Sequence, residues 1–487
     1  MSRLRPVMPP DASLAKVFKA YDVRGVVPDD LDEEKVRAIG EAFGEFVAAS
    51  GAREVLVGRD MRESGVPLSA AFADGVLAAG LGVVDAGLIS TDMLYFGSGA
   101  LGLPGAMLTA SHNPARYNGI KLCLPGAQPV GQETGLARIQ HRAEELLASP
   151  RPTQPRERSR RGAAPGVSTT DLLAEFARHV HGFVDVGSLR PLRIVADTAN
   201  GMGGLVAPKV LGTLPFELEV LYGELDGSFP NHPADPIQPE NLVDLQRRVL
   251  ETGADVGLAF DGDADRVFLV DDTAVPLSGS LTTAIVAAAI LDEHPGETVL
   301  YNLICSKAVP EVIAEHGGVG VRTRVGHSFI KAVMAETGAV FGGEHSGHYY
   351  FRDNYRADSG IIAALVVLSV LSKAGVPLSV LREPFERYAA SGEINTEVHD
   401  IAGVLAAVER HFAPSGAAID HLDGLTVDAG EWWFNLRPSN TEPLLRLNLE
   451  AADQGSCTRH TAEVLELVAS LDGSGARTDE EGEGRGT

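Results

Sequence analysis

Three stretches of the chain repeat one order of local signals, and that repetition limits the fold more than any other feature. Glu54–Asp60 (EVLVGRD) is a short β-branched run ending in a polar turn; the small-residue stretch PLSAAFADGVLAAG follows, then a second apolar run, LGVVDAG. The order returns from Leu192 (LRIVADTAN, GMGGLVAPKVLGTL, FELEVLY) and from Thr298 (TVLYNLIC, SKAVPEVIAEHG, VGVRTRVG). Strand, helix, strand in succession predicts an α/β chain built of three similar domains with mixed sheets. A length of 487 residues has room for them, because single cores stop growing well below that size.

From about Ala389 the pattern changes. INTEVHD, AAIDHLDGLTVDAGEWWFNLRP and LLRLNLEA read as strands with turns at Asp423-Gly424 and Ala429-Gly430. Val404–Phe412 and Thr458–Ala469 read as helices, so a smaller C-terminal α+β domain is expected. The predicted divisions are 1–150, 167–273, 274–388 and 389–472. The Pro- and Arg-rich stretch 151–166 is a flexible linker or loop, and the Gly-rich acidic stretch 473–487 is a disordered tail.

Composition excludes several classes. A net charge of −25 disfavours nucleic-acid and anionic-membrane partners, which need a basic footprint. Cys123, Cys305 and Cys457 are too few and too scattered for a disulfide framework or a cysteine metal site. Arg3 and Arg5 have no apolar run behind them, so no signal peptide is expected. The eleven-residue run Ile361–Leu371 is too short to cross a bilayer and reads as a buried helix. A cytoplasmic protein is expected, a monomer or a weak homo-oligomer.

Four loops carry chemistry. Thr109-Ala110-Ser111-His112-Asn113-Pro114 follows an apolar run, at a strand end where α/β folds place reactive groups. It is either a reactive serine loop or an ordinary Ser/Asn/Pro turn. A serine-hydrolase reading fails, because no Gly-x-Ser-x-Gly elbow occurs. Asp261-Gly262-Asp263-Ala264-Asp265-Arg266 sets three carboxylates at alternate positions after DVGLAF. Their mutual repulsion calls for a hard cation such as Mg²⁺. A calcium EF-hand is excluded, because Arg266 and Asp272 stand where it needs Gly and Glu. Arg437-Pro438-Ser439-Asn440-Thr441-Glu442-Pro443 combines an arginine fork, hydroxyls and an amide, suited to a phosphate or, failing that, to a capped turn. Gly342-Gly343-Glu344-His345-Ser346-Gly347-His348 sets a carboxylate and a hydroxyl two residues apart among glycines, a spacing that suits adjacent sugar hydroxyls. No third ligand of matching spacing supports zinc at the two histidines.

Taken together and in this order, TASHNP, DGDADR, GGEHSGH and RPSNTEP resemble the α-D-phosphohexomutase superfamily, as do Phe18–Gly25 (FKAYDVRG), Gly58-Arg59-Asp60 and Val325-Gly326-His327. The likeness spans about residues 15 to 470. It implies three similar α/β domains and a lid domain around a central cleft, each lending one loop. It also implies that Ser111 carries a phosphoryl group beside Mg²⁺ held by Asp261, Asp263, Asp265 and Ser111 itself. A hexose 1,6-bisphosphate would form, turn around, and return the other phosphate to Ser111. Lys121, His112 and Arg266 would act on the transferring group, with Tyr21 and Arg24 lining the centre. Lys121 is expected to be the acid–base group, its pKa lowered by crowded cations. Glu344 and Ser346 would hold sugar hydroxyls, His327 and His348 would flank the ring, and Arg437, Ser439, Asn440 and Thr441 would grip the idle phosphate. Asn440 resembles the phosphomannomutase/phosphoglucomutase branch, where the glucosamine branch has Gly. The chain departs at Ile304, where some bacterial dual-specificity members carry a lysine. The favoured substrates are mannose 6- and 1-phosphate, with the glucose phosphates as further candidates and GDP-mannose synthesis downstream. Alternatives are a phosphoglucomutase or phosphoglucosamine mutase, a sugar bisphosphate phosphatase, or a non-catalytic sugar-phosphate binder.

Overall fold

The computed structural model describes residues 13–149, 166–439 and 444–475. Each repeated run becomes a strand, because its β-branched residues pack between helices on a buried sheet. The first sheet has seven strands. Glu54–Arg59 lies between Gly82–Leu88 and Gly105–Leu108, all parallel, and Tyr117–Leu124 then pairs antiparallel and carries Val23–Val26 at the edge. In the second sheet Arg193–Asp197, Glu217–Leu221 and Val256–Phe260 are parallel, and Val267–Asp271 returns antiparallel. In the third, Thr298–Asn302 lies between Val319–Thr323 and Phe341–Gly343, and the short strands Tyr349–Phe351 and Ala357–Asp358 complete it. The fourth is a five-stranded antiparallel sheet from Ala389–Glu397 to Leu444–Ala451.

Two details depart from expectation. Val167–Thr169 does not open the second domain but pairs with Val83–Asp85 of the first sheet. Three residues suffice there, because the strand only satisfies the open edge of Gly82–Leu88. The last helix, Gln454–Gly475, runs into the expected tail, carried by its buried Cys457, Val464 and Val468; residues 476–487 lie outside the described residues. Most of the expected 151–166 linker also lies outside them.

The cores are divided unequally. One continuous cluster joins residues of all three α/β units, from Leu56 and Met93 through Val256 and Leu258 to Phe341 and Leu365. The run expected to be a buried helix is one, Gly360–Ala374. No single helix among the described residues is long and apolar enough to cross a membrane. The fourth unit has its own core of Val404, Phe434, Leu447 and Val464. It meets the third through charges: Lys307 Nζ to Asp428 at 2.7 Å, the Lys307 amide to Glu450 at 2.9 Å, and Arg322 with Asp420.

The first turn of the helix Thr91–Leu101 joins three units. The Thr91 amide and hydroxyl both donate to Asp263, to its carbonyl at 3.0 Å and its carboxylate at 2.5 Å. Asp92 accepts from Ser90 and, at 2.7 Å, from Ser359 of the third unit. Burial pushes the Asp92 carboxyl up to about 7, against those hydroxyls and with help from the Asp265 charge. The native state therefore keeps a proton that the unfolded chain releases near its ordinary value of 3.8, and this contribution to stability falls as pH rises from about 4 to about 7. Asp92→Asn should flatten that dependence. Denaturant unfolding at pH 5 and pH 8 should show the variant gaining more than ~1 kcal/mol relative to the parent at the higher pH.

Candidate active site

Each chemical loop begins where a buried strand stops. Ser111 follows Gly105–Leu108, Asp261 follows Val256–Phe260 and Glu344 follows Phe341–Gly343; Arg437 lies at the end of Trp432–Pro438. The packed strands bring these ends together. Ser111 Oγ donates to Asp261 Oδ2 at 2.7 Å, across the first and second units. Arg266 and His348 form an antiparallel bridge between the second and third. Gly262 must be glycine, since a Cβ there would lie 2.4 Å from the Ser111 carbonyl oxygen. Gly326, at φ +126°, is likewise pressed against the Tyr21 hydroxyl.

The centre is acidic and dry. Asp261, Asp263 and Asp265 are at most 1% exposed, and their carboxylate oxygens lie within 4.8 Å of one another. Asp263 Oδ1 and Asp265 Oδ1 are buried without a hydrogen-bond partner among the described residues. Two orphaned oxygens in an all-oxygen donor set fit a hard divalent cation such as Mg²⁺. Burial, with the like charges of Asp265 and Asp263, pushes Asp261 well up despite Arg266. Arg266 Nη2 lies 3.0 Å from Asp261 Oδ2, and its amide donates to Oδ1 at 3.1 Å.

Lys121 corrects the sequence reading. Its Nζ donates to Asp263 at 2.8 Å and Asp265 at 2.6 Å. Burial alone would lower it, but the two carboxylates outweigh burial and hold the ammonium well above its ordinary value. The sequence shows the cations near Lys121 but not the carboxylates, which come from a loop 142 and 144 residues away. His112 behaves in the opposite way. Burial and the charges of Arg266 and Arg24 hold it well below its ordinary value, and its Nδ1 lies 3.3 Å from Ser111 Oγ. Arg24 donates to Asn113 Oδ1 and to Asp22, both at 2.6 Å. Tyr21 meets Phe329 edge-on, with ring centroids 5.9 Å apart.

In the third unit, Glu344 is 2% exposed and fixed from three directions: the Tyr350 hydroxyl at 2.7 Å, the Gly326 amide at 3.0 Å and Asn302 Nδ2 at 3.3 Å. Ser346 Oγ lies 3.0 Å from His348 Nδ1, and His348 Nε2 is 3.9 Å from Asp265. His348 therefore links the loop of Glu344 to that of Asp265. In the fourth unit Arg437 Nη2 lies 3.7 Å from Glu393, and Ser439 Oγ accepts from Arg446 at 3.5 Å. Asn440, Thr441 and the His327 side chain lie outside the described residues. Tyr350, Asn302 and Thr91 support site residues, yet no motif marks them. Only the Ser-Thr-Asp start of a helix, an N-cap pattern, carries any signal.

An acidic loop with a donor set for a hard cation, placed against a serine with cations on both sides and a separate buried carboxylate, suits chemistry on a phosphorylated small molecule. The comparisons agree. The chain matches the phosphoglucomutase/phosphomannomutase alpha/beta/alpha domains I, II and III over residues 15–148, 174–274 and 278–388, and the C-terminal domain over 393–467. It is 39% identical over 455 residues to a protein of Xanthomonas campestris pv. campestris named "Phosphohexose mutases", covering 93% of this chain and 98% of that one. It is 38% identical over 462 residues to a phosphomannomutase of Salmonella montevideo, covering 93% and 99%. A crystal structure of a phosphoglucomutase/phosphomannomutase family protein from Burkholderia thailandensis superposes with a TM-score of 0.83 at 31% identity, covering 93% and 97%. The chain belongs to the phosphoglucomutase/phosphomannomutase family. It is a phosphohexomutase, an isomerase acting on hexose phosphates.

Proposed function

We propose that the protein interconverts mannose 6-phosphate and mannose 1-phosphate, with the glucose phosphates as secondary substrates, through phosphorylated Ser111 and a hexose 1,6-bisphosphate. It would act in the cytoplasm, as a monomer or weak homo-oligomer. The observation that carries the phosphoserine route is Ser111 Oγ on Asp261, beside Lys121 on Asp263 and Asp265. Asp261, Asp263 and Asp265 would hold Mg²⁺, which supplies Lewis-acid withdrawal of charge from the phosphoryl group. The protein's own groups do the rest. Lys121 and Arg266 neutralise the transferring phosphoryl as fixed cations. His112, neutral and within reach of Ser111 Oγ, exchanges the serine proton as the phosphoryl leaves and returns. His348 stands on the far side, beside Glu344 and Asp265, to exchange the sugar hydroxyl proton.

The mannose preference is supported by Asn440 in the phosphate loop and by relatives named phosphomannomutase at 38% identity. The test is kcat/KM on mannose 1-phosphate, glucose 1-phosphate and glucosamine 1-phosphate with a trace of bisphosphate. Mannose 1-phosphate should lead, with glucosamine 1-phosphate slower by ~10²-fold or more, since an amine in place of a hydroxyl disturbs a site built on hydrogen bonds. A leading glucosamine rate would refute the preference.

A further inference from the structure

Arg62 belongs to no loop assigned above, yet it is one of the largest fully buried side chains, 1% exposed. Its guanidinium has five N–H donors, and the structure provides five acceptors. Nη2 donates to Ser111 O at 2.8 Å and Asn113 O at 2.6 Å. Nη1 donates to Pro114 O at 2.9 Å and Tyr117 O at 3.0 Å. Nε donates to Asp60 Oδ2 at 3.2 Å. Four of the five acceptors are main-chain carbonyls, three in the loop that bears Ser111 and one at the start of the strand that follows it.

That loop needs holding. Ser111 has φ +49°, a left-handed conformation that costs a residue with a Cβ about 1–2 kcal/mol. Its carbonyl oxygen is wedged between Arg62 Nη2 and the backbone of Gly262. The second unit also closes over Arg62. The Phe229 ring lies 5.0 Å from the guanidinium carbon, and a Cβ on Gly227 would lie 2.5 Å from Arg62 Cα. Arg62 has no hydrogen bond to Ser111 Oγ, so any effect it has on transfer acts through the loop's shape.

Resting on the reading that Ser111 carries the phosphoryl group, we propose that Arg62 is a positioning residue for the transfer. Its fork locks the left-handed turn that aims Ser111 Oγ at Asp261, and Phe229 makes that lock a joint property of the first two domains. A lysine cannot replace it, because one ammonium offers three donors from a point and cannot serve four spread carbonyls.

The test uses Arg62→Lys in the full chain. Turnover should fall by ~10²-fold, the scale of a misplaced reacting group. KM for the hexose 1-phosphate should stay within ~3-fold, because the sugar and distal phosphate contacts lie on other domains. Intact mass should show less phosphoserine formed from hexose 1,6-bisphosphate. Millimolar guanidinium should restore part of the turnover of Arg62→Ala, where sodium chloride at equal ionic strength does not. Should either variant fail to fold, Phe229→Ala removes a half-buried cover without cutting a hydrogen bond, and should lower kcat several-fold at constant KM. A folded Arg62→Lys with kcat near the parent's, parallel changes in kcat and KM, or a silent Phe229→Ala would overturn the proposal. A parent enzyme that is never phosphorylated at Ser111 would overturn the underlying reading instead.

Discussion

Ser111→Ala should reduce turnover by at least ~10⁴-fold, the scale on which enzymes lose a covalent nucleophile. The fold should survive, since the strands that deliver the loop do not depend on the hydroxyl. The local cost is one hydrogen bond to Asp261, about 1–3 kcal/mol for a buried acceptor left unsatisfied. Asp261 keeps Arg266 on both carboxylate oxygens, at 3.0 and 3.1 Å, so the released group is not left a bare charge. Three measurements follow: a coupled isomerase assay, intact mass after incubation with bisphosphate, and the melting temperature. Full activity in the variant, with no phosphate on the parent's Ser111, would refute the phosphoserine route.

The second large effect is expected for Asp263→Asn. Asp263 Oδ2 accepts from both Lys121 and Thr91, while Oδ1 has no described partner. An amide is nearly isosteric but removes a charge from the group that offsets Lys121. Burial would raise Asp263, yet Lys121 and the hydrogen bonds hold it far below the ordinary carboxylate range. The parent is therefore ionised throughout the working pH range, and the loss should be independent of pH above ~5. Turnover should drop by ~10³-fold, comparable to losing a principal electrostatic contact, with KM changed only a few-fold. Binding of Mn²⁺, followed by electron paramagnetic resonance without substrate, should weaken by at least ~10-fold. Unchanged kcat would rule out the metal role.

Both substitutions sit in loops whose nature is readable along the chain. EVLVGRD, LRIVADTAN and TVLYNLIC are strands because β-branched runs bounded by polar turns have few other stable arrangements. The Asp-rich loop announces a cation by repulsion alone. What escapes a linear reading depends on partners distant in sequence. Lys121 looked like a lysine crowded by cations because the Asp263 and Asp265 carboxylates enter from another domain. The three-residue strand Val167–Thr169 carries too little pattern to reveal that it belongs to the first sheet. Thr91 and Tyr350 are ordinary residues whose importance exists only in contact with Asp263 and Glu344.

The two kinds of joint between domains have unequal tolerance of salt. The three α/β units share an apolar core, which ionic strength scarcely touches, whereas the fourth meets the third through Lys307 and Arg322 and their carboxylates. Screening over a Debye length of ~8 Å at physiological ionic strength reaches the second joint first. Ser111 and its acidic partners thus ride on a body indifferent to the electrolyte. Arg437, proposed to grip the idle phosphate, rides on a part whose attachment the medium can tune. On the proposed phosphoserine route, the half-turn of the intermediate and the making of a bond would answer to different features of the solution.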